Sequence, residues 1–363
     1  MASVTKEAVE QALRNVIDPN TDRDPVSTKS VSRVDVSDGS VRVGITLGYP
    51  AKSWIPQYAE LVKSQVGALD GVDRVEVDID VKIAAHTVQK GVKPIANVKN
   101  MIAVASGKGG VGKSTVAANL ALALSAEGAS VGVLDADIYG PSQPRMLGVS
   151  ARPESRDGKS MEPISSYDLQ AMSIGFLIDE ETPMIWRGPM VTQALEQLLK
   201  DTRWRDLDYL IIDLPPGTGD TQLTLAQRVP VTGAVIVTTP QDIALLDARK
   251  AYKMFEKVEI PVLGVVENMS THICSQCGHE EHIFGEGGGK RMAEEYGVEH
   301  LGDVPLDARI REDADCGRPT VVADPDGPVA TVYKRIARRL AARLSTRKKD
   351  YSDKFPSIVI QST

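Results

Sequence analysis

Two textures of hydrophobic patterning meet near residue 100 of the chain. In the first, Val9, Leu13 and Val16 recur at helical spacing within residues 4–17, and the pattern stops before Asp18-Pro19. Residues 31–36 and 41–47 alternate apolar and polar positions on either side of Asp38-Gly39, the mark of a hairpin. A helical stretch over 56–69 and an alternating strand over 75–83 follow. Together they predict a small α+β domain over residues 1–86. Residues 87–100 have no strong period, contain Gly, Pro and three lysines, and read as a linker.

The second texture is one of short, continuous apolar runs at 101–105, 131–134, 209–212, 234–237 and 262–266, each followed by a turn and a helical segment. Strands buried on both faces read this way, which predicts an α/β fold with a mostly parallel, doubly wound sheet over residues 101–349. Ligands of such sheets bind at the carboxyl ends of the strands. Residues 329–349 form a basic amphipathic stretch, with Val332, Ile336, Leu340 and Leu344 along one face. That stripe reads first as a helix packed on the sheet, with a membrane or nucleic-acid surface as the rival reading. Residues 350–363 are a tail.

Composition narrows the class. Hydrophobic residues at 42% can build a large core, and the excess of Asp+Glu (49) over Lys+Arg (42) argues against a global attraction to nucleic acid or anionic lipid. No nucleic-acid or membrane partner is expected. Three cysteines cannot make a disulfide framework, and no apolar run approaches ~18 residues, so a cytoplasmic protein is expected.

Gly107-Lys108-Gly109-Gly110-Val111-Gly112-Lys113-Ser114 fits G-x-x-x-x-G-K-[ST], between an apolar strand and an Ala/Leu-rich helix beginning at Thr115. Such a loop turns its N–H groups onto phosphate oxygens. Lys113 is expected to reach the β/γ-phosphates of ATP, and the Ser114 hydroxyl to hold Mg²⁺. Asp213, directly after the run 209–212, is the expected second magnesium residue, and the Pro215-Pro216-Gly217-Thr218-Gly219 turn is placed to sense the γ-phosphate. Asp135 and Asp137 end another strand and read as chemistry or as N-caps. Lys108 and Asn268 likewise admit a solvated-loop and a turn-forming reading.

Cys274 and Cys277 present two thiolates at metal-ligand spacing, with Gly278 freeing the turn. Four thiolates are usual for a structural zinc and for a [4Fe–4S] cluster, and Cys316 is the only other cysteine. A four-thiolate site would therefore take two chains. A redox dithiol, a zinc site completed by His279 or His282, and incidental surface cysteines are the other readings.

The loop KGGVGKS resembles that of the MinD/ParA/nitrogenase-iron-protein class of ATPases, and the whole set of motifs resembles the Mrp/ApbC family of iron–sulfur cluster carrier ATPases. The resemblance runs through Trp186-Arg187-Gly188-Pro189-Met190, Asp213 to Asp220, Thr239-Pro240-Gln241, Glu267-Asn268-Met269-Ser270 and Phe284-Gly285. It includes Asp18-Pro19 and Gly71-Val72-Asp73-Arg74-Val75 of the small domain. It implies a homodimeric ATPase in which Lys108 reaches the partner's phosphates, Asp137 helps position the attacking water and Asn268 contacts adenine. It also implies a labile [4Fe–4S] cluster bridged by two Cys274/Cys277 pairs and delivered to apo iron–sulfur proteins. Ser275 stands where the family usually has proline, and residues 1–86 lack the cysteine found in some relatives of that domain. A MinD-like positioning ATPase and an ATP-gated reductase like the nitrogenase iron protein are the rival functions; the first leaves Cys274 and Cys277 without a role.

Overall fold

The computed structural model describes residues 4–178, 188–274 and 276–350. Trp186, Arg187, Ser275 and the tail from 351 onward lie outside the described residues.

At the start of the chain, the Thr5 hydroxyl accepts the Ala8 N–H at 3.2 Å and caps the helix Lys6–Leu13. Strands β1 (Val31–Ser37) and β2 (Ser40–Leu47) pair antiparallel about Asp38 and Gly39, both at positive φ, as a tight hairpin turn requires. The helix Ile55–Gly67 returns the chain to β3 (Arg74–Val81), parallel to β2. The buried Val41, Val43 and Ile45 of β2 share a core with Val9, Leu13, Tyr58, Val62 and Val66 of the two helices.

Strands β4 (Val98–Ala105), β5 (Val131–Asp135), β6 (Ile164–Ser166), β7 (Leu169–Ser173), β8 (Leu207–Asp213), β9 (Gly233–Thr238) and β10 (Val262–Asn268) follow. After the short pair β11 (His272–Ile273) and β12 (Glu280–Glu281) comes β13 (Glu299–Val304). The large sheet has the order β13-β10-β9-β4-β8-β5-β7-β6, and only β6 runs antiparallel to its neighbour. The five apolar runs are its inner strands, buried end to end in β5 and β9 because helices cover both faces. From β4 the chain winds one way to β5, and from β8 it crosses to β9 on the other side of β4. The residues after β4 therefore sit where the winding reverses.

The helix Pro328–Ser345 buries Tyr333, Ile336, Leu340 and Leu344 against the helix Lys113–Ala126 and β13. This is the packed reading of the basic amphipathic stretch. No helix among the described residues is long and apolar enough to cross a membrane.

The two units are tied at buried polar joints. Glu127, 2% exposed, accepts from Ser53 N (2.9 Å), Ser53 Oγ (2.5 Å) and Arg338 Nη1 (2.7 Å). One carboxylate thus joins the small unit, the end of the helix Lys113–Ala126 and the C-terminal helix. Asn100 Nδ2 donates to two carbonyls, Ala84 O and Asp208 O, which leaves its Oδ1 to accept from His86 Nδ1 at 2.9 Å. Within 87–97, Gln89 bonds Ala226 O, Val229 O and Val231 N, so this stretch lies along the larger unit.

Candidate functional site

The phosphate loop runs from the end of β4 to Lys113, the first residue of its helix. Gly110 (φ 81°) and Gly112 (φ 78°) take left-handed conformations. At Gly107 a Cβ would run into the Asp247 backbone, and at Gly112 into Asn268 Nδ2. These glycines are dictated by close approach as well as by turning. Gly109 and Gly110 are exposed with open space around them, where a phosphate can be received. Val111 is buried, and Ser114 and Thr115 are half-buried in the first turn of the helix.

Charge is concentrated beneath the loop. Lys113, 6% exposed, forms an ion pair with the fully buried Asp213 and lies 3.1 Å from Ser114 Oγ. Asp213 Oδ2 accepts from Gln143 Nε2 at 2.9 Å, and the same amide donates to Ser114 O at 3.1 Å. Gln143 was not singled out in the sequence. No motif marks it, since the residues between Asp137 and the short helix Gln143–Met146 reach Asp213 only through the fold. Its Oε1 is buried without a partner among the described residues. The Asp213 carboxylate and the Ser114 hydroxyl, both within reach of Lys113, are hard-oxygen donors that fit Mg²⁺.

Asp135 and Asp137 separate in role. Asp135 is fully buried and accepts from the N–H groups of Asp137, Ser142 and Gln143 and from Ser173 Oγ, at 3.0–3.1 Å. It shapes the loop after β5. Burial, followed by the neighbouring Asp213 charge, pushes its carboxyl above the ordinary carboxylate range. Asp137 is half-buried; burial raises its carboxyl too, opposed by Lys113. No helix starts at Asp137, so the N-cap reading does not describe it. Lys108 is half-buried and its side chain has no ion-pair partner among the described residues. Gly217 N bonds Ser106 O at 3.0 Å, placing the 213–220 turn beside the loop.

Asn268, at the end of β10, donates from Nδ2 to Val111 O at 2.9 Å, bracing the loop, while its Oδ1 has no hydrogen-bond donor among the described residues. Four residues on, β11 and β12 pair and carry the cysteines between them. Cys274 N bonds His279 O (2.9 Å) and Gly278 N bonds Cys274 O (2.8 Å), with Gly278 at φ 72°. Cys277 is exposed and Cys274 half-exposed, and all three cysteines are free thiols. The backbone N–H groups of Cys277 and Gln276 hold the Cys274 thiol below its ordinary value, so the turn favours a thiolate. His282 faces Ser270 O at 3.2 Å and His279 faces Glu281, so both imidazoles have partners of their own. Cys316 ends the helix Ala308–Asp315 and is exposed.

A central strand, a glycine loop on a helix N-terminus and a buried lysine–aspartate pair between them define a P-loop NTPase. The chain belongs to the family described as NUBPL iron-transfer P-loop NTPases, whose profile matches residues 97–341. Residues 6–79 match the family described as iron–sulfur cluster assembly protein. An iron–sulfur cluster carrier protein of Escherichia coli K12 is 50% identical over 92% of this chain and 90% of its own. One of Pseudomonas fragi is 61% identical over 76% of this chain and 97% of its own. Among solved structures, a nucleotide-binding protein from Archaeoglobus fulgidus in complex with ADP is 38% identical, covering 64% of this chain and 90% of that one, with a TM-score of 0.55. The Pyrococcus furiosus cell division ATPase MinD, at 22% identity over 66% of this chain and 98% of its own and a TM-score of 0.50, shares the fold.

Proposed function

We propose that this protein is an ATP-hydrolysing iron–sulfur cluster carrier that acts as a homodimer, holds a [4Fe–4S] cluster between two Cys274/Cys277 pairs, and passes it to apoproteins. The observation that carries this reading is the root of the cysteine hairpin. It leaves the same carboxyl edge of the sheet as the phosphate loop, and Asn268 at its base is bonded to that loop. The names borne by the curated relatives support the cargo. Two thiolates per chain support the dimer, because a cubane cluster takes four. So do the apolar side chains left exposed along that edge: Ile243 (70%) and Leu246 (55%) after β9, Tyr139 (58%) after β5, and Ile273 (57%) and Ile283 (53%) on the hairpin.

The resting chain pairs Lys113 with Asp213 because neither charge tolerates burial alone. Bound ATP offers Lys113 phosphate oxygens instead. Asp213 and Ser114 are then free to hold Mg²⁺, which supplies charge neutralisation at the phosphates. Asp137, with its carboxyl raised by burial, orients the attacking water. Lys108, without an ion-pair partner among the described residues, reaches the phosphates of the second copy. Asn268 Oδ1 is available to the adenine amino group. Because the 213–220 turn and the cysteine hairpin both adjoin the loop, loss of the γ-phosphate changes how closely the two copies clasp the cluster.

The test is transfer. The protein, loaded with iron and sulfide under anaerobic conditions, is mixed with an apoferredoxin, with and without ATP. Iron and sulfide leaving together for the acceptor supports the carrier. Iron that stays while an electron acceptor is reduced would replace it with the reductase reading.

A further inference from the structure

A cavity of about 810 Å³ lies where the small unit meets the end of the C-terminal helix, away from the phosphate loop and the cysteines. Arg23, Lys29 and Lys82 line it from the small unit, and Arg347 and Lys349 from beyond the helix. None of the five has a side-chain ion pair or hydrogen bond among the described residues. Two carboxylates, Asp18 and Asp350, also line it, and leave an excess of cations; Asp18 is already occupied, its oxygens accepting from Asn20 (3.0 and 2.9 Å) and from the Tyr49 hydroxyl (2.5 Å). The chain as a whole is acidic, at −7, so an excess of cations here runs against the global balance. Residues past a helix C-terminus are often basic to offset its dipole, which accounts for Arg347 and Lys349. It does not account for Arg23, Lys29 and Lys82, which come from another unit.

A second observation comes from the cavity wall. Tyr58, 1% exposed, stacks on Trp54, and its hydroxyl finds no hydrogen-bond partner among the described residues while lining the cavity. The ring is buried while the hydroxyl opens onto the cavity, free to donate to whatever occupies it. Burial, with the Asp18 and Asp24 charges, holds this phenol above its ordinary value, so it stays a proton donor. Five cationic residues and an available phenol around one cofactor-sized space share a single complement.

We propose that this cavity is a binding site for a small, multiply charged oxyanion, phosphate- or carboxylate-bearing, received by Arg23, Lys29, Lys82, Arg347, Lys349 and the Tyr58 hydroxyl. The site is separate from the nucleotide site and does not depend on it.

Calorimetric titration of the full chain with pyrophosphate and with citrate tests this. At least one of the two should bind, and binding should persist in Lys113→Ala, which disables the phosphate loop. It should weaken at least tenfold in Arg23→Glu/Arg347→Glu, but not in Lys90→Glu/Lys93→Glu, which changes net charge equally on exposed residues outside the cavity. Tyr58→Phe should weaken binding severalfold without lowering Tm, because no protein hydrogen bond is lost. Pyrophosphate alone binding assigns a phosphate-bearing ligand; citrate alone assigns a carboxylate. The proposal is overturned by no binding of either anion, by binding that disappears in Lys113→Ala, or by equal weakening in the two charge-reversal variants.

Discussion

At the scale of single residues, the site is organised around one buried cation shared by acidic neighbours. Lys113 forms its ion pair with Asp213, and the Asp135 carboxyl is raised by burial and then by the nearby Asp213 charge. Lys113→Ala removes that cation. ATP hydrolysis is expected to fall to background in a phosphate-release assay, and unchanged turnover would contradict the assignment. The nucleotide-free variant should also lose stability, by about 3 kcal/mol as for an unmatched buried charge. The loss seen in thermal unfolding should shrink as the pH falls and a carboxyl can take a proton. The lysine and Ser114 were legible in the sequence because a phosphate loop fixes residue types at fixed spacing, and Asp213 because it directly follows an unbroken apolar run. Gln143 was not, because its contact with Asp213 joins residues 70 apart and leaves no local pattern.

At the scale of elements, legibility followed burial. Strands covered on both faces, such as 209–212 within β8, read as unbroken apolar runs. Towards the edges of the sheet, β6 (Ile164–Ser166), β7 (Leu169–Ser173) and β13 (Glu299–Val304) carry Ser, Gln, Glu, His and Asp and gave no such run. The strand β4 begins at Val98, ahead of the run at 101–105, because Lys99 is exposed and Asn100 is a buried polar residue tied to His86. His86 itself carries a pH dependence. Burial depresses its pKa below the ordinary value near 6.5, so its neutral form favours the folded state. That contribution is complete above about pH 6.5 and is lost as the pH falls towards the folded value, because the unfolded chain then takes up the proton first. Thermal unfolding at pH 7.5 and 5.5 should show a larger drop in Tm for the native chain than for His86→Gln. Equal drops would remove His86 from the account.

At the scale of the whole molecule, the helix Lys113–Ala126 spans two interests. Its first residue is the phosphate-loop lysine, and Glu127 just past its end is clasped by Ser53 of the small unit and Arg338 of the C-terminal helix. Neither joint could be read from the sequence, because each pairs residues from distant segments without a motif. The cysteine pair could be read, yet one chain supplies only half of a four-thiolate site, and among the described residues no group of three or more His, Cys, Asp or Glu gathers to hold a metal. The cluster site therefore stands or falls on its stoichiometry. The protein should be reconstituted with iron and sulfide without oxygen, and its iron, sulfide and mass in solution measured together, for the native chain and for Cys277→Ala. A dimer with about four irons and four sulfides is expected, with none retained by a Cys277→Ala chain that is still folded. A monomer holding its own metal, or full iron loading in Cys277→Ala, would contradict it.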